Sequence, residues 1–179
     1  GNKSMNVYLL IYLPNNKKKS PVFLAYNFEG NHSVNTDQAI LINGKKESEL
    51  SEMELKKFIA SGRGGRTSRW AIDKMIDAGY GLVTVDYNNI DLDKNDFSDG
   101  IHSLFYKSGQ TAPAKNEWGS LSAWAWGMSR IMDFLETQAE LDHNKVILFG
   151  HSRLGKTALW SAANDQRFRI VISNNSGCG

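Results

Sequence analysis

A chain of 179 residues and 20.0 kDa with 41% hydrophobic residues can fill the core of one domain. Its net charge of +2, with Lys and Arg scattered rather than clustered, gives no basic stripe for nucleic acid, and its single cysteine, Cys178, excludes an internal disulfide or a multi-cysteine metal site. No apolar run approaches the ~18 residues of a membrane span. The start, Gly1-Asn2-Lys3-Ser4, carries no signal-peptide core, but Gly1 in place of Met points to a processed or engineered N-terminus, from which a secretion signal would already be gone.

In chain order, the apolar run 7–13 predicts a strand closed by Pro14 and a polar turn over 15–20. Residues 22–26 predict a second, buried strand. The stretch 28–68 is polar and glycine-dotted, with a short helix expected around 51–60. Its segment Arg63-Gly64-Gly65-Arg66-Thr67-Ser68-Arg69 is the nearest thing to a basic patch and reads as a solvated loop before a helix. Trp70, Ile72, Met75 and Ile76 share one helical face that Gly79 would end, and 82–85 predicts a third strand. A long loop follows from 86 to 117, a length that in compact domains usually signals an ordered or functional segment. Leu121, Trp124, Ala125, Met128, Ile131, Met132 and Leu135 then recur at helical spacing from 118 to about 137. A strand at 145–149, a turn, a helix to about 163 and a strand at 170–173 complete the pattern. Alternating strands and helices with uninterrupted apolar strands predict an α/β fold with a mostly parallel sheet.

Two kinds of machinery fit the turn after 145–149. Gly150 to Thr157 matches G-x-x-x-x-G-K-[ST], the loop that cradles nucleotide phosphates. Gly150-His151-Ser152-Arg153 also fits a strand-to-helix elbow that exposes a serine hydroxyl. The phosphate reading is disfavoured: such a loop normally follows an early strand, and no carboxylate on a later strand could hold magnesium. In the serine reading, the backbone N–H of Arg153 would meet a developing oxyanion. A second donor would come from 27–32, and the following helix would turn its positive end to the same point. One departure stands out: the glycine that G-x-S-x-G expects at 154 is displaced to Gly155.

With that departure, Gly150-His151-Ser152-Arg153-Leu154-Gly155-Lys156 resembles the G-x-S-R-x-G-K signature of carbohydrate esterase family 15, the glucuronoyl esterases. The resemblance extends to 27–33 (NFEGNHS), Gly109-Gln110-Thr111, Glu117-Trp118-Gly119, 123–127 (AWAWG) and 173–179 (SNNSGCG), which look like bacterial members and run in matching order through almost the whole chain. It implies an α/β-hydrolase-like three-layer sandwich and a serine esterase cleaving 4-O-methyl-glucuronoyl esters that link xylan to lignin. Ser152 would be the nucleophile, Arg153 would stabilise the oxyanion through backbone and side chain, and Lys156 would contact the sugar. No cofactor and no metal is implied. The expected partners are a glucuronoxylan or lignin–carbohydrate ester, with no nucleic acid and no membrane, and the expected location is secreted or periplasmic. Blander readings are a turn serine, a surface arginine and a snorkelling lysine.

A serine hydroxyl needs a base, and in this fold the order is Ser, acid, His. All four histidines, His32, His102, His143 and His151, precede Ser152. Fungal members carry a Glu where this chain has Asn175, so the resemblance places the acid, like the base, on a later segment. A chain ending after a strand would also leave an apolar edge unpaired. Residues 1–179 are therefore expected to be the N-terminal part of a single α/β-hydrolase domain, truncated at the C-terminus, with the missing segment as partner. Alternatives are an acetyl-xylan-type or other esterase of the same fold, and an inactive carbohydrate-binding fragment. Asp86, Asp91, Asp93, Asp96 and Asp99 miss the spacing of a calcium loop and read as turn residues and caps. Trp124 falls on the core stripe of its helix, while Trp118 and Trp126 stay open between packing and sugar stacking.

Overall fold

The structure is a computed structural model that describes residues 4–15 and 19–177; Cys178 lies outside the described residues. In chain order it contains β1 (Leu9–Tyr12), β2 (Ser20–Asn27), α1 (Glu52–Ser61), α2 (Ile72–Asp77), β3 (Gly81–Asp86), α3 (His102–Phe105), α4 (Ser120–Leu135), β4 (Leu141–His151), α5 (Arg153–Asn164) and β5 (Ile170–Asn174). The strands form one sheet in the order β1-β3-β2-β4-β5. All neighbours are parallel except β1, which runs antiparallel to β3 with Leu9 opposite Val85. Every expected strand and long helix is present, and β4 runs longer than expected at both ends.

Alternation along the strands divides the core into two layers. Val22, Leu24, Tyr26, Val83, Val85, Val146 and Leu148 face α4 and α5, whose Trp124, Met128, Met132, Leu154 and Ala158 close that side. On the opposite face Leu82 joins Val34 and Ile72, with Leu10, Tyr12, Phe23, Met75 and Ile76 packed around them. A sheet covered on both faces needs apolar side chains in both phases, which is why β3 is buried along its whole length. The three-layer, mostly parallel α/β expectation is therefore met.

Local chemistry sets the helix ends. Ser51 caps α1 by accepting from the Glu54 N–H at 3.4 Å, while Glu54 accepts from the Ser51 N–H at 2.8 Å. The Lys45 ammonium, with the Ser51 N–H and hydroxyl donating alongside it, holds the Glu54 carboxyl down at about 2. Gly127 lets α4 close on β2, because a Cβ there would lie 2.5 Å from the Tyr26 hydroxyl, which donates to the Trp124 carbonyl at 2.8 Å. At the far end of α4, Arg167 is held bidentately by Asp165 (2.9 and 2.6 Å) and reaches Asp133 and Glu136.

Two features position the site. Asn27, Asp86, His151 and Asn174, the last residues of β2, β3, β4 and β5, lie along one edge of the sheet, where α/β folds place ligands. The 86–117 segment is not a bare connector. It contains a 3-10 turn at Tyr87–Asn89 and α3; it is docked by Trp124 Nε1–H donating to the Asp91 carbonyl at 2.8 Å and closed on itself by Ile101 N–H donating to the Ile90 carbonyl at 2.9 Å. At the sheet's other limit, β5 has one neighbour, and Ile170 and Ile172 are 51% and 40% exposed.

Candidate active site

The strand β4 runs to His151 and α5 begins at Arg153, so Ser152 alone makes the turn. It does so with φ 55 and ψ −130, a left-handed conformation that costs a residue with a Cβ about 1–3 kcal/mol. Its amide donates to the Asn174 carbonyl at 2.9 Å, and its carbonyl accepts from the Gly155 N–H at 2.8 Å. The two glycines make so sharp a junction possible. A Cβ on Gly150 would sit 2.0 Å from the Leu154 carbonyl oxygen, and one on Gly155 would sit 2.9 Å from the Ser173 hydroxyl. Leu154 points into the core, and the displaced glycine at 155 is where α5 presses on β5.

This geometry does not fit the phosphate-loop reading of 150–157. A phosphate cradle needs several successive loop amides around the anion. Here Gly150 and His151 are strand, and Arg153 through Thr157 are helix. The Thr157 hydroxyl, which that reading would place on magnesium, is buried and donates to the Arg153 carbonyl at 3.2 Å.

Arg153 occupies the first position of α5, where an N–H has no acceptor within its own helix and the helix dipole is positive. Its guanidinium pairs with Asp93 and lies 5.9 Å from the centre of the Phe28 ring. Phe28 meets Tyr87 edge-on at 5.5 Å, and Tyr87 meets Trp124 in the same way at 5.2 Å. Burial pushes the Tyr87 phenol up, while the Arg153 charge opposes that rise and Asp86 adds to it. Lys156, half-buried, stands one helical turn beyond Ser152 on the same side of α5.

The 27–32 segment, expected to supply an oxyanion donor, meets the elbow through Phe28. It is braced by its two asparagine side chains. Asn27 Nδ2 donates to Asn31 Oδ1 at 2.7 Å and to Thr84 Oγ1 at 3.1 Å, and Asn31 Nδ2 donates to the Tyr8 carbonyl at 2.8 Å. The Arg63–Arg69 stretch, read as a solvated loop, is in fact docked on this segment. Gly64 and Arg66 amides donate to His32 and Ser33 carbonyls, both at 2.8 Å, and Arg66 pairs with Glu29.

None of the four histidines is presented to Ser152. His32 shares a 2.7 Å hydrogen bond with Ser61, and its imidazole is pushed down by burial and by Arg63 against an opposing pull from Glu29. His102 is buried against Asp91 (3.1 Å) and the Trp118 carbonyl (3.2 Å), with its ring stacked on Trp118. His143 lies near the start of β4, at the opposite end from the elbow. His151 Nδ1 is engaged 3.1 Å from Asn174 Nδ2.

The aspartates of the long loop divide differently from their reading as turn residues. Asp86 and Asp96 do accept from nearby amides, those of Asn88 and Ser98. Asp91 is instead fully buried, pairs with His102, and has its carboxyl pushed up by desolvation. Asp93 crosses to Arg153, and Asp99 to Lys94. No local signal separates Asp93 from its neighbours, because its partner is 60 residues away. Trp124 is core, as expected. Trp118 covers His102, and Trp126 is partly exposed beside Arg130 and Phe105. Among the described residues no group of three or more His, Cys, Asp or Glu side chains is placed to hold a metal ion, and no helix is long and apolar enough to cross a membrane.

Comparison with known proteins converges on one group. The family model for glucuronyl esterases of fungi matches residues 69–179. Carbohydrate esterase MZ0003, from an unknown prokaryotic organism, is 46% identical over 174 residues, covering 96% of this chain and 40% of its own length. The 4-O-methyl-glucuronoyl methylesterase 1 of Wolfiporia cocos is 39% identical over 103 residues, covering 55% of this chain and 24% of its own. Among solved structures, a glucuronoyl esterase from Solibacter usitatus superimposes with a TM-score of 0.78 at 42% identity, over 96% of this chain and 43% of that one. A promiscuous esterase of carbohydrate esterase family 15 from a marine bacterial metagenome gives 0.74 at 43%, over 97% and 44%. The chain thus spans about two-fifths of the length of the prokaryotic carbohydrate esterase and of these two solved structures.

Proposed function

Since the chain belongs to the glucuronyl esterase family, we propose that residues 1–179 are the nucleophile-bearing N-terminal part of a single α/β-hydrolase domain that cleaves glucuronate esters. The observation that carries this reading is Ser152 at φ 55 on a one-residue strand-to-helix turn, with Arg153 immediately at the helix N-terminus. Ser152 Oγ attacks the ester carbonyl carbon, and the carbonyl π electrons move onto oxygen. The Arg153 amide and guanidinium stabilise that oxyanion. Collapse expels the alcohol and leaves an acyl-enzyme, which water hydrolyses to the free glucuronate. Lys156 holds the sugar.

The proton on Ser152 goes to an imidazole outside these residues, because the histidines within them are committed elsewhere or distant. Two relatives are named 4-O-methyl-glucuronoyl methylesterase and glucuronoyl esterase, which supports a glucuronoyl ester as substrate; its source in glucuronoxylan or a lignin–carbohydrate ester, and a secreted or periplasmic setting, are part of the proposal. The test compares hydrolysis of a benzyl glucuronate ester with release of acetate from acetylated xylan by the full-length polypeptide carrying this sequence. Glucuronate ester cleavage that disappears in Ser152→Ala is expected. Preference for acetyl groups would move the enzyme to the acetyl-xylan class, and absence of both activities would make it a binding protein. The 179-residue piece alone should retain little turnover, roughly the 10³–10⁴-fold over water that a triad without its base can keep. Full activity from it would refute the assignment of the base to another segment.

A further inference from the structure

Resting on the esterase reading above, we infer that Asp93 is a positioning residue for the Arg153 guanidinium, holding it against Phe28 so that it meets the oxyanion already oriented. An arginine on the first turn of a helix has many rotamers, and fixing one of them costs side-chain entropy. A guanidinium recruited for transition-state stabilisation is worth most when its direction is set before the reaction. Two groups constrain it in this structure: the Asp93 carboxylate, which pairs with it, and the Phe28 ring, 5.9 Å from its centre.

The residue doing the holding is itself anchored. Asp91, two positions earlier, is fully buried, contacts His102 at 3.1 Å, and receives the Trp124 indole N–H on its carbonyl at 2.8 Å. Gly100 packs so closely that a Cβ there would lie 2.0 Å from Asp91 Oδ1. Nor is Asp93 quenched by the adjacent cation, since the Lys94 ammonium turns to Asp99 at 2.7 Å and Asp96 at 3.1 Å. Phe28 is likewise backed by Tyr87 at 5.5 Å.

A purely structural role does not account for the pair. The side chains are 47% and 37% exposed, and ion pairs that open to water add little to stability. Their geometric effect falls on the one side chain that the mechanism needs oriented.

The test is a double-mutant cycle on glucuronate ester hydrolysis by the full-length polypeptide, with kcat and KM resolved. Asp93→Asn should lower kcat about 10-fold with little change in KM, within the ~100-fold that an ångström-scale misplacement can cost. Asp93→Glu should recover most of the loss. In an Arg153→Ala background, Asp93→Asn should change kcat less than about twofold, because nothing remains to be positioned. Phe28→Leu supplies a second reading should Asp93→Asn melt early, and it too should lose its effect once Arg153 is gone. If Arg153→Ala itself leaves kcat intact, the oxyanion assignment fails and this inference with it. If Arg153→Ala costs about 10²-fold or more while Asp93→Asn is neutral, activating, or equally harmful without Arg153, the positioning role alone is overturned.

Discussion

The Ser152 amide donates to the Asn174 carbonyl at 2.9 Å, so the strand β5 holds the turn on which the nucleophile of the proposed reaction stands. The Asn174 side chain adds a contact to His151 at 3.1 Å, so both residues before Arg153 are tied to the same neighbour. One consequence is chemical. The Ser152 N–H is spent on β5, so in the proposed mechanism it is the next amide, that of Arg153, that would face an oxyanion.

Strain at the elbow predicts an opposition between stability and activity. Ser152→Gly removes the cost of a Cβ at φ 55 but frees the unfolded chain, so a net gain of about 1 kcal/mol is expected, with esterase activity abolished. Urea unfolding of the two proteins measures the difference. A clear loss of stability in the glycine variant would mean that the turn is not strained.

Gly150 predicts the reverse. Its replacement by alanine drives a methyl group to 2.0 Å from the Leu154 carbonyl oxygen, a backbone atom that cannot swing away. Gly150→Ala should cost at least about 2–3 kcal/mol, the upper range for overpacking, and lower the melting temperature accordingly. A melting curve superimposable on that of the parent would contradict the close approach of β4 and α5.

The Arg167 cluster predicts an acid-sensitive contribution to stability. Hydrogen bonds from Arg167 hold the Asp165 carboxyl at about 2, below its ordinary 3.8, and its side chain is 10% exposed. A depressed carboxyl contributes stability that is present above the unfolded value and lost as pH falls through the folded one. Asp165→Asn should therefore cost about 2 kcal/mol near neutral pH, a difference that shrinks from about pH 4 down towards pH 2. Denaturant titrations of both proteins at several pH values would show a constant gap if this is wrong.

The literal match to a phosphate loop predicts nothing in the test tube. With one residue between strand and helix and Thr157 turned onto its own helix, calorimetric titration with magnesium-ATP should give no heat of binding in the micromolar range. Micromolar binding that vanishes in Lys156→Ala would reverse this conclusion.

Elements and their faces were legible along the chain because helix and strand periodicity are local properties. The apolar spacing from Leu121 to Leu135 marks α4 and its buried stripe, and the apolar runs mark the five strands. The paired glycines at 150 and 155 marked a tight turn, and the residues around them carried the family likeness. The local pattern of the turn does not say what it does, since both readings require a strand, a turn and a helix; strand order, the lack of a later carboxylate and the family likeness favour the serine. Only the folded chain shows that a single residue, Ser152, separates β4 from α5. Tertiary structure alone also reverses β1 against β3, buries Asp91 with His102, docks Arg66 on Glu29 and carries Asp93 across 60 residues to Arg153. An aspartate in a polar loop has the same local pattern whether it caps a turn, fills a buried pair or orients a guanidinium. Its role depends on which distant charge the packed sheet brings within reach, and no spacing along the chain encodes that.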